Sequence, residues 1–327
     1  MKNLSFEALF KPVVLGLAVL LMATSLSAKT VKVTPLGSHD GEFCRLDRAL
    51  VFEDPNGTRL LYDAGRTVAG ADDPRLGKID AVLISHAHGD HLGDKHIAAV
   101  NAGDCASPEV SISASPASNS VLIAVEKEAD IITGSEMPKF LAKKLEENGG
   151  DPGKSRLVRF GAEVAVGGVK VTTVPAAHSN GLAPNFLSGP MAEYMKQAGV
   201  AAYVGPPTGY VLTFTNGLSV YLSGDTGMTA EQKSVIGEYY KPQLAVINIG
   251  GTFTTGPTEA AYVISDMVRP NSVIASHANE QSTKKGKLLS GTRSSEFINR
   301  LDVPVFLPLS GITMEFDDAG KCVKGCK

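Results

Sequence analysis

The segment Ser85–Asp94 reads SHAHGDHLGD and holds three of the chain's seven histidines. Before it stands IDAVLIS (Ile79–Ser85), an apolar run closed by polar residues, the pattern of a fully buried strand. The cluster therefore begins where a buried strand ends. On an extended segment residues i and i+2 point the same way, so His86 and His88 can grip one cation together. A turn at Gly89 then offers Asp90 and His91 to a second cation nearby. Imidazole and carboxylate suit borderline-soft divalent ions such as zinc, with one position left open for water.

More donors of the same kind stand at other strand ends. His178 follows VKVTTVPAA, Asp225 follows LSVYLSG, and His277 follows NSVIAS. One histidine after an apolar run is unremarkable, but three positional matches to the first cluster point to one shared site. A carboxylate such as Asp225 has two oxygens and can bridge two cations.

Taken in order, SHAHGDHLGD, AAHSNG, YLSGDTG and IASHANE resemble the metallo-β-lactamase superfamily. The resemblance runs from about Val31 to Ile312 and is closest to the ascorbate-phosphate lactonase-like group. The stretch TTGPTEAAYVISDMVRPNSVIASH (Thr254–His277) favours that group most. The resemblance implies an α+β fold, a four-layer αβ/βα sandwich of two mixed sheets with helices outside. It also implies two divalent metal ions, zinc first, with manganese or iron as alternatives. By matching position, His86, His88 and His178 would hold one metal and Asp90, His91 and His277 the other, with Asp225 between them. LLYDAG matches the family's early aspartate strand and places Asp63 behind the ligands as their support.

The reaction expected from such a site is hydrolysis. A water or hydroxide shared by two metals attacks an ester, lactone, amide or phosphodiester of a small molecule, and Asp90 accepts or relays its proton. Two other readings use the same fold: a metal-binding protein without catalysis, and a single-iron sulfur dioxygenase. His39, in the turn after the first strand, and Asn180, Asn185 and Asn279, which neighbour the ligands or the variable loop, are candidates for the substrate rim.

Bulk properties frame this reading. Hydrophobic residues make up 43% and charged residues 20%, the balance of a folded globular chain. A net charge of -3 without a dense basic run argues against a nucleic-acid partner. At the N-terminus Lys2 and Lys11 precede VVLGLAVLLM (Val13–Met22), and small residues follow to Ala28. This is the plan of a secretory signal peptide over residues 1–28, so a periplasmic or secreted location is expected. The run is too short for a comfortable span, which needs about 20 apolar residues, so no stable membrane span remains after cleavage. Residues 29–327 are then expected to form one domain, whose oligomeric state the sequence leaves open. Cys322 and Cys326, four apart around a glycine, are placed to close a small disulfide loop, and the pairing of Cys44 and Cys105 stays open. Apolar periodicity predicts helices at 94–100, 118–127, 137–147, 229–239, 257–268 and 292–300, and an elaborated loop over 180–209.

Overall fold

The computed structural model describes Met1 and residues 29–134 and 136–326. The signal-peptide segment, apart from Met1, lies outside the described residues. Two sheets form the framework. The first has eight strands in the spatial order Ser155–Leu157, Asp130–Thr133, Ala81–Leu83, Arg59–Tyr62, Leu50–Glu53, Val31–Pro35, Met314–Phe316 and Cys322–Lys324. The second has seven: Glu163–Val166, Val169–Pro175, Thr208–Thr213, Ser219–Leu222, Leu244–Asn248, Ser272–Ser276 and Val305–Phe306. Each sheet begins as an antiparallel meander and then turns parallel. The chain after residue 313 crosses back to complete the first sheet.

Strand alternation divides the apolar side chains between two environments. Leu60 and Tyr62 face inward, where they join Leu83, Leu212, Val220 and Val246 in the core between the sheets. Leu61, Val82 and Ile131 face outward and are covered by helices Asn119–Glu126 and Met137–Glu147. On the far side Tyr221, Ala245 and Ile247 are covered through Ile236, Ile264 and Phe297 of the later helices. The result is a four-layer sandwich with helices on both outer faces.

Three hydrogen bonds tie the sheets together where the histidine segment starts. The buried Tyr210 hydroxyl reaches the carbonyls of Ile84 (2.6 Å) and Ile132 (2.9 Å), and Thr208 N donates to Ser85 O at 2.8 Å. The end of strand Ala81–Leu83 is thus fixed by the opposite sheet.

Local differences from the sequence expectations have physical causes. No helix spans 94–100. Asp94 N already closes the wide turn Gly89–Gly93, and Asp94 O accepts from Ala114 N, so Lys95–His96 leaves as a short strand beside Ile112–Ser113. The 180–209 stretch is more ordered than a loop. It contains helix Pro190–Ala198, ended by Gly199, and a pairing of Gly181–Leu182 with Ala202–Tyr203. Leu182 and Phe186 bury themselves in the outer core of the first sheet. Disulfides join Cys44 to Cys105 and Cys322 to Cys326, with Cα atoms 4.8 and 6.1 Å apart.

Candidate metal centre

The four segments singled out in the sequence meet at one edge of the sandwich, each just beyond a strand. His86 and His88 follow Ala81–Leu83, with ring centroids 4.5 Å apart. Asp90 and His91 stand on the helical turn Gly89–Gly93. His178, after Val169–Pro175, brings its ring to 5.1 Å from His86 and 5.0 Å from His88. His277, after Ser272–Ser276, stacks on His91 at 5.3 Å. Asp225, after Ser219–Leu222, stands between the two sets: its Oδ2 is 3.9 Å from Nε2 of both His86 and His178, 3.3 Å from that of His91 and 3.1 Å from that of His277. Three triplets can each offer donor atoms within 4.8 Å of one another: His86, His88 and His178; His86, His91 and Asp225; Asp90, His91 and His277.

The donor atoms left unused are the sign that a cation fits here. His86 Nε2, His91 Nε2, both ring nitrogens of His277 and Asp225 Oδ1 are buried without a hydrogen-bond partner. A buried polar atom normally finds a partner, and the Nε2 atoms of His86, His91 and His277 with Asp225 Oδ1, gathered in one place, are what a coordinated cation would satisfy. The opposite ring nitrogens are engaged. His91 Nδ1 donates to Asp63 Oδ2 at 2.8 Å, and His86 Nδ1 lies 2.9 Å from Ser85 Oγ, which itself donates to Asp63 Oδ2 at 2.7 Å. Asp63 also accepts Ser85 N at 2.8 Å through Oδ1. One carboxylate therefore holds both imidazoles from the Nδ1 side and turns their Nε2 atoms toward the shared space.

The backbone around the donors is tightly constrained. Ala177 N donates to Thr226 Oγ1 (2.9 Å) and Gly227 N to Ala177 O (2.8 Å), locking the His178 and Asp225 loops together. Asn248 Nδ2 holds Thr226 O at 3.1 Å. Asp63 and His277 both adopt left-handed backbone, at φ 43° and 49°, a cost that surrounding contacts must overcome. Gly65, at φ 53°, lies so close to Asp90 that a Cβ would collide with its carbonyl oxygen. Gly65→Ala is expected to destabilise the fold by about 1–3 kcal/mol or more, and to weaken metal binding by displacing Asp90. Denaturant unfolding read beside metal titration checks both.

A family model described as a β-lactamase superfamily domain matches residues 58–278, a span that includes all seven donors. The chain belongs to the metallo-β-lactamase superfamily. A UPF0173 metal-dependent hydrolase of Polynucleobacter asymbioticus is 30% identical over 270 residues, 80% of this chain and 81% of the relative. Another from Cupriavidus necator is 33% identical over 236 residues, 68% of each chain. Igni18, a metallo hydrolase from Ignicoccus hospitalis, is similar in fold, with a TM-score of 0.57 at 21% identity over 88% of this chain and 99% of its own. The protein is thus a metal-dependent hydrolase of this superfamily, with His/Asp groups able to bind metal.

In this superfamily member the charges at the centre are strongly coupled. Burial, then the neighbouring His91, holds His86 well below the usual imidazole range. Burial also disfavours charge on His91, but Asp225, Asp63 and Asp90 outweigh it and carry its pKa up to about 10. Burial pushes Asp225 up, yet His91 and His277 prevail and hold it well below the carboxylate range. Asp90 behaves likewise: burial is overcome by Arg48, 2.7 Å from Oδ2, and by His91. With no cation bound, His91 is therefore an imidazolium at neutral pH, and a cation taking its Nε2 must displace the proton. Loading the chelator-stripped protein with zinc at pH 7 is expected to release about one proton from this residue. Calorimetry in buffers of different ionisation enthalpy measures it, and no dependence on buffer would contradict the assignment.

The donors open into a cavity of about 600 Å³, also lined by Arg45, Arg48, Arg293, Phe253 and Asn279. Of the residues expected at the substrate rim, Asn279 alone lines it, and its Oδ1 accepts from Arg48 at 2.9 Å. His39 instead pins its turn to Gly103 O (2.9 Å), and Asn185 reaches Ser115 at 3.2 Å, both away from the cavity. Asn180 is buried as a brace, accepting Ala87 N at 2.8 Å and donating to Gly205 O at 2.9 Å. Sequence reasoning missed Ser85, Arg48 and Asn248. Ser85 and Asn248 each close an apolar strand run, a signal that could have found them; Arg48, a single basic residue before a strand, carried none.

Proposed function

We propose that the protein is a dinuclear hydrolase that uses water to cleave an ester, lactone, amide or phosphodiester bond of a small molecule. The observation that carries this reading is the convergence of seven donor side chains, four of them with buried unpartnered atoms, at a place where five of the seven line an open cavity. His86, His88 and His178 would hold one divalent cation, Asp90, His91 and His277 the other, and Asp225 would stand between. When bound, such a pair of cations, zinc first by donor type with manganese or iron as alternatives, supplies an acidified water and positive charge opposite a developing oxyanion.

The chain's own residues perform the remaining tasks. Asp63 and Ser85 orient the imidazoles before any ligand arrives, which removes reorganisation from the reaction. Arg48 engages Asp90 Oδ2 and keeps that carboxylate charged. Asp90 is then a weak base, suited to accept a hydrogen bond from the nucleophile and relay its proton rather than retain it. Seven donors favour a two-metal site over a single-iron dioxygenase, which needs fewer. An exported location is part of the same proposal, and two disulfides support it, since such bonds persist in oxidising compartments.

A panel of neutral and charged esters, lactones, lactams and phosphodiesters, assayed on zinc-loaded and chelator-treated protein, tests the reading. Metal-dependent turnover of at least one class is expected. Full metal occupancy with no turnover across the panel would replace it with a non-catalytic metal-binding role, and oxygen uptake with an iron-loaded sample would replace it with a dioxygenase.

A further inference from the structure

Four arginines line the cavity, and three of them already have carboxylate partners. Arg48 pairs with Asp90 at 2.7 Å, Arg66 with Asp94 at 2.7 Å, and Arg293 with Glu280 at 3.5 Å. Arg45 has no such partner: among the described residues no carboxylate or carbonyl engages its guanidinium. An exposed arginine on a mobile loop would mean little, but this one stands on a pinned backbone. Cys44 beside it is buried and disulfide-bonded to Cys105, Cys44 N donates to Asp47 Oδ2 at 2.8 Å, and Arg45 N donates to Cys105 O at 3.1 Å. The exposed side chain therefore starts from a fixed backbone at the cavity wall and keeps its guanidinium free for a ligand.

A second feature shares the rim. Phe253 lines the same cavity with 69% of its surface exposed, an apolar ring beside polar ligands with nothing covering it. An unpaired guanidinium carried on a fixed backbone and a bare aromatic face in one cavity suit a ligand with two parts. Guanidinium prefers planar or tetrahedral oxyanions, which it engages through paired N–H groups. The ring offers apolar contact to the rest of the molecule.

We propose that the substrate is a small anion, carrying a carboxylate- or phosphate-type oxyanion held by Arg45 and an apolar portion packed against Phe253. This rests on the hydrolase reading for its site and narrows the class of substrate. The oxyanion is a handle distinct from the bond that is cleaved.

Binding without turnover tests it. Calorimetry on the zinc-loaded protein would compare 3-phenylpropanoate and phenylphosphonate with the neutral 3-phenylpropanamide. The two anions are expected to bind at least about tenfold more tightly than the amide. Cations alone attract anions, so the decisive comparison is Arg45→Gln. It should weaken both anions by about three- to tenfold while leaving the amide, the metal content and the melting temperature unchanged. Phe253→Ala should weaken all three ligands alike. Equal affinity for amide and anion, or anion affinity indifferent to Arg45→Gln, would overturn the proposal. If the anions bind through Arg45 and no substrate in the panel is hydrolysed, the hydrolase reading fails and what stands is an oxyanion-binding site at Arg45; a hydrolase indifferent to substrate charge overturns the anion proposal alone.

Discussion

Replacing Asp225 with alanine is expected to cost the protein at least one of its metals and to lower hydrolysis by at least about 10²-fold, a loss that even supporting residues behind a metal can approach. The expectation follows from where the carboxylate stands. Its Oδ2 lies within 3.9 Å of a ring nitrogen of His86, His178, His91 and His277, so it stands close to both halves of the centre. Removing it leaves Asp90 as the one carboxylate among the seven donors to offset a pair of cations. The variant should still fold, because the strands that carry Asp225 and its neighbours pack through Leu222, Val246 and Ile274. Elemental analysis and kinetics on the folded variant give the answer together. Two retained metals with unchanged turnover would rule out a bridging place for Asp225.

The second large effect is expected at a residue that touches no metal. Asp63→Asn should lower metal affinity by about 10- to 100-fold, the usual consequence of disturbing a ligand's hydrogen-bonded support. Asp63 is fully buried and receives three hydrogen bonds, from Ser85 N, Ser85 Oγ and His91 Nδ1. Asparagine keeps the volume but turns one oxygen into a donor, which faces another donor and leaves a buried group unsatisfied. Breaking such a buried charged contact costs about 3–5 kcal/mol of stability. A metal titration beside a denaturation curve separates the two losses. The distinguishing readout is the metal affinity, which a purely structural role would leave unchanged once the protein is folded.

Much of this was legible in the sequence because the chemistry sits at strand ends. An apolar strand followed at once by His86, His178, Asp225 or His277 declares both the element and its exit, and two sheets with outer helices follow from the order of runs. Legibility fell where the contact is remote in sequence. Arg48 and Asp90 are brought together by folding, and nothing in the composition near either announces the other. The expected helix at 94–100 failed for a related reason: the ligand turn uses the Asp94 amide, and a distant segment takes its carbonyl. Asn180 illustrates the reverse error. An asparagine beside a ligand suggests substrate, yet its side chain is consumed in holding Ala87, one residue from His86.

The two-metal proposal rests on these seven side chains. Elemental analysis of the purified protein, repeated after His86→Ala and again after chelation, tests it most directly. The account predicts about two divalent ions per chain in the wild type, fewer in the variant and none after chelation, with the melting temperature falling at each loss as buried donors lose their partner. Metal content near zero in the wild type, together with folding and stability unaltered by His86→Ala, would contradict it.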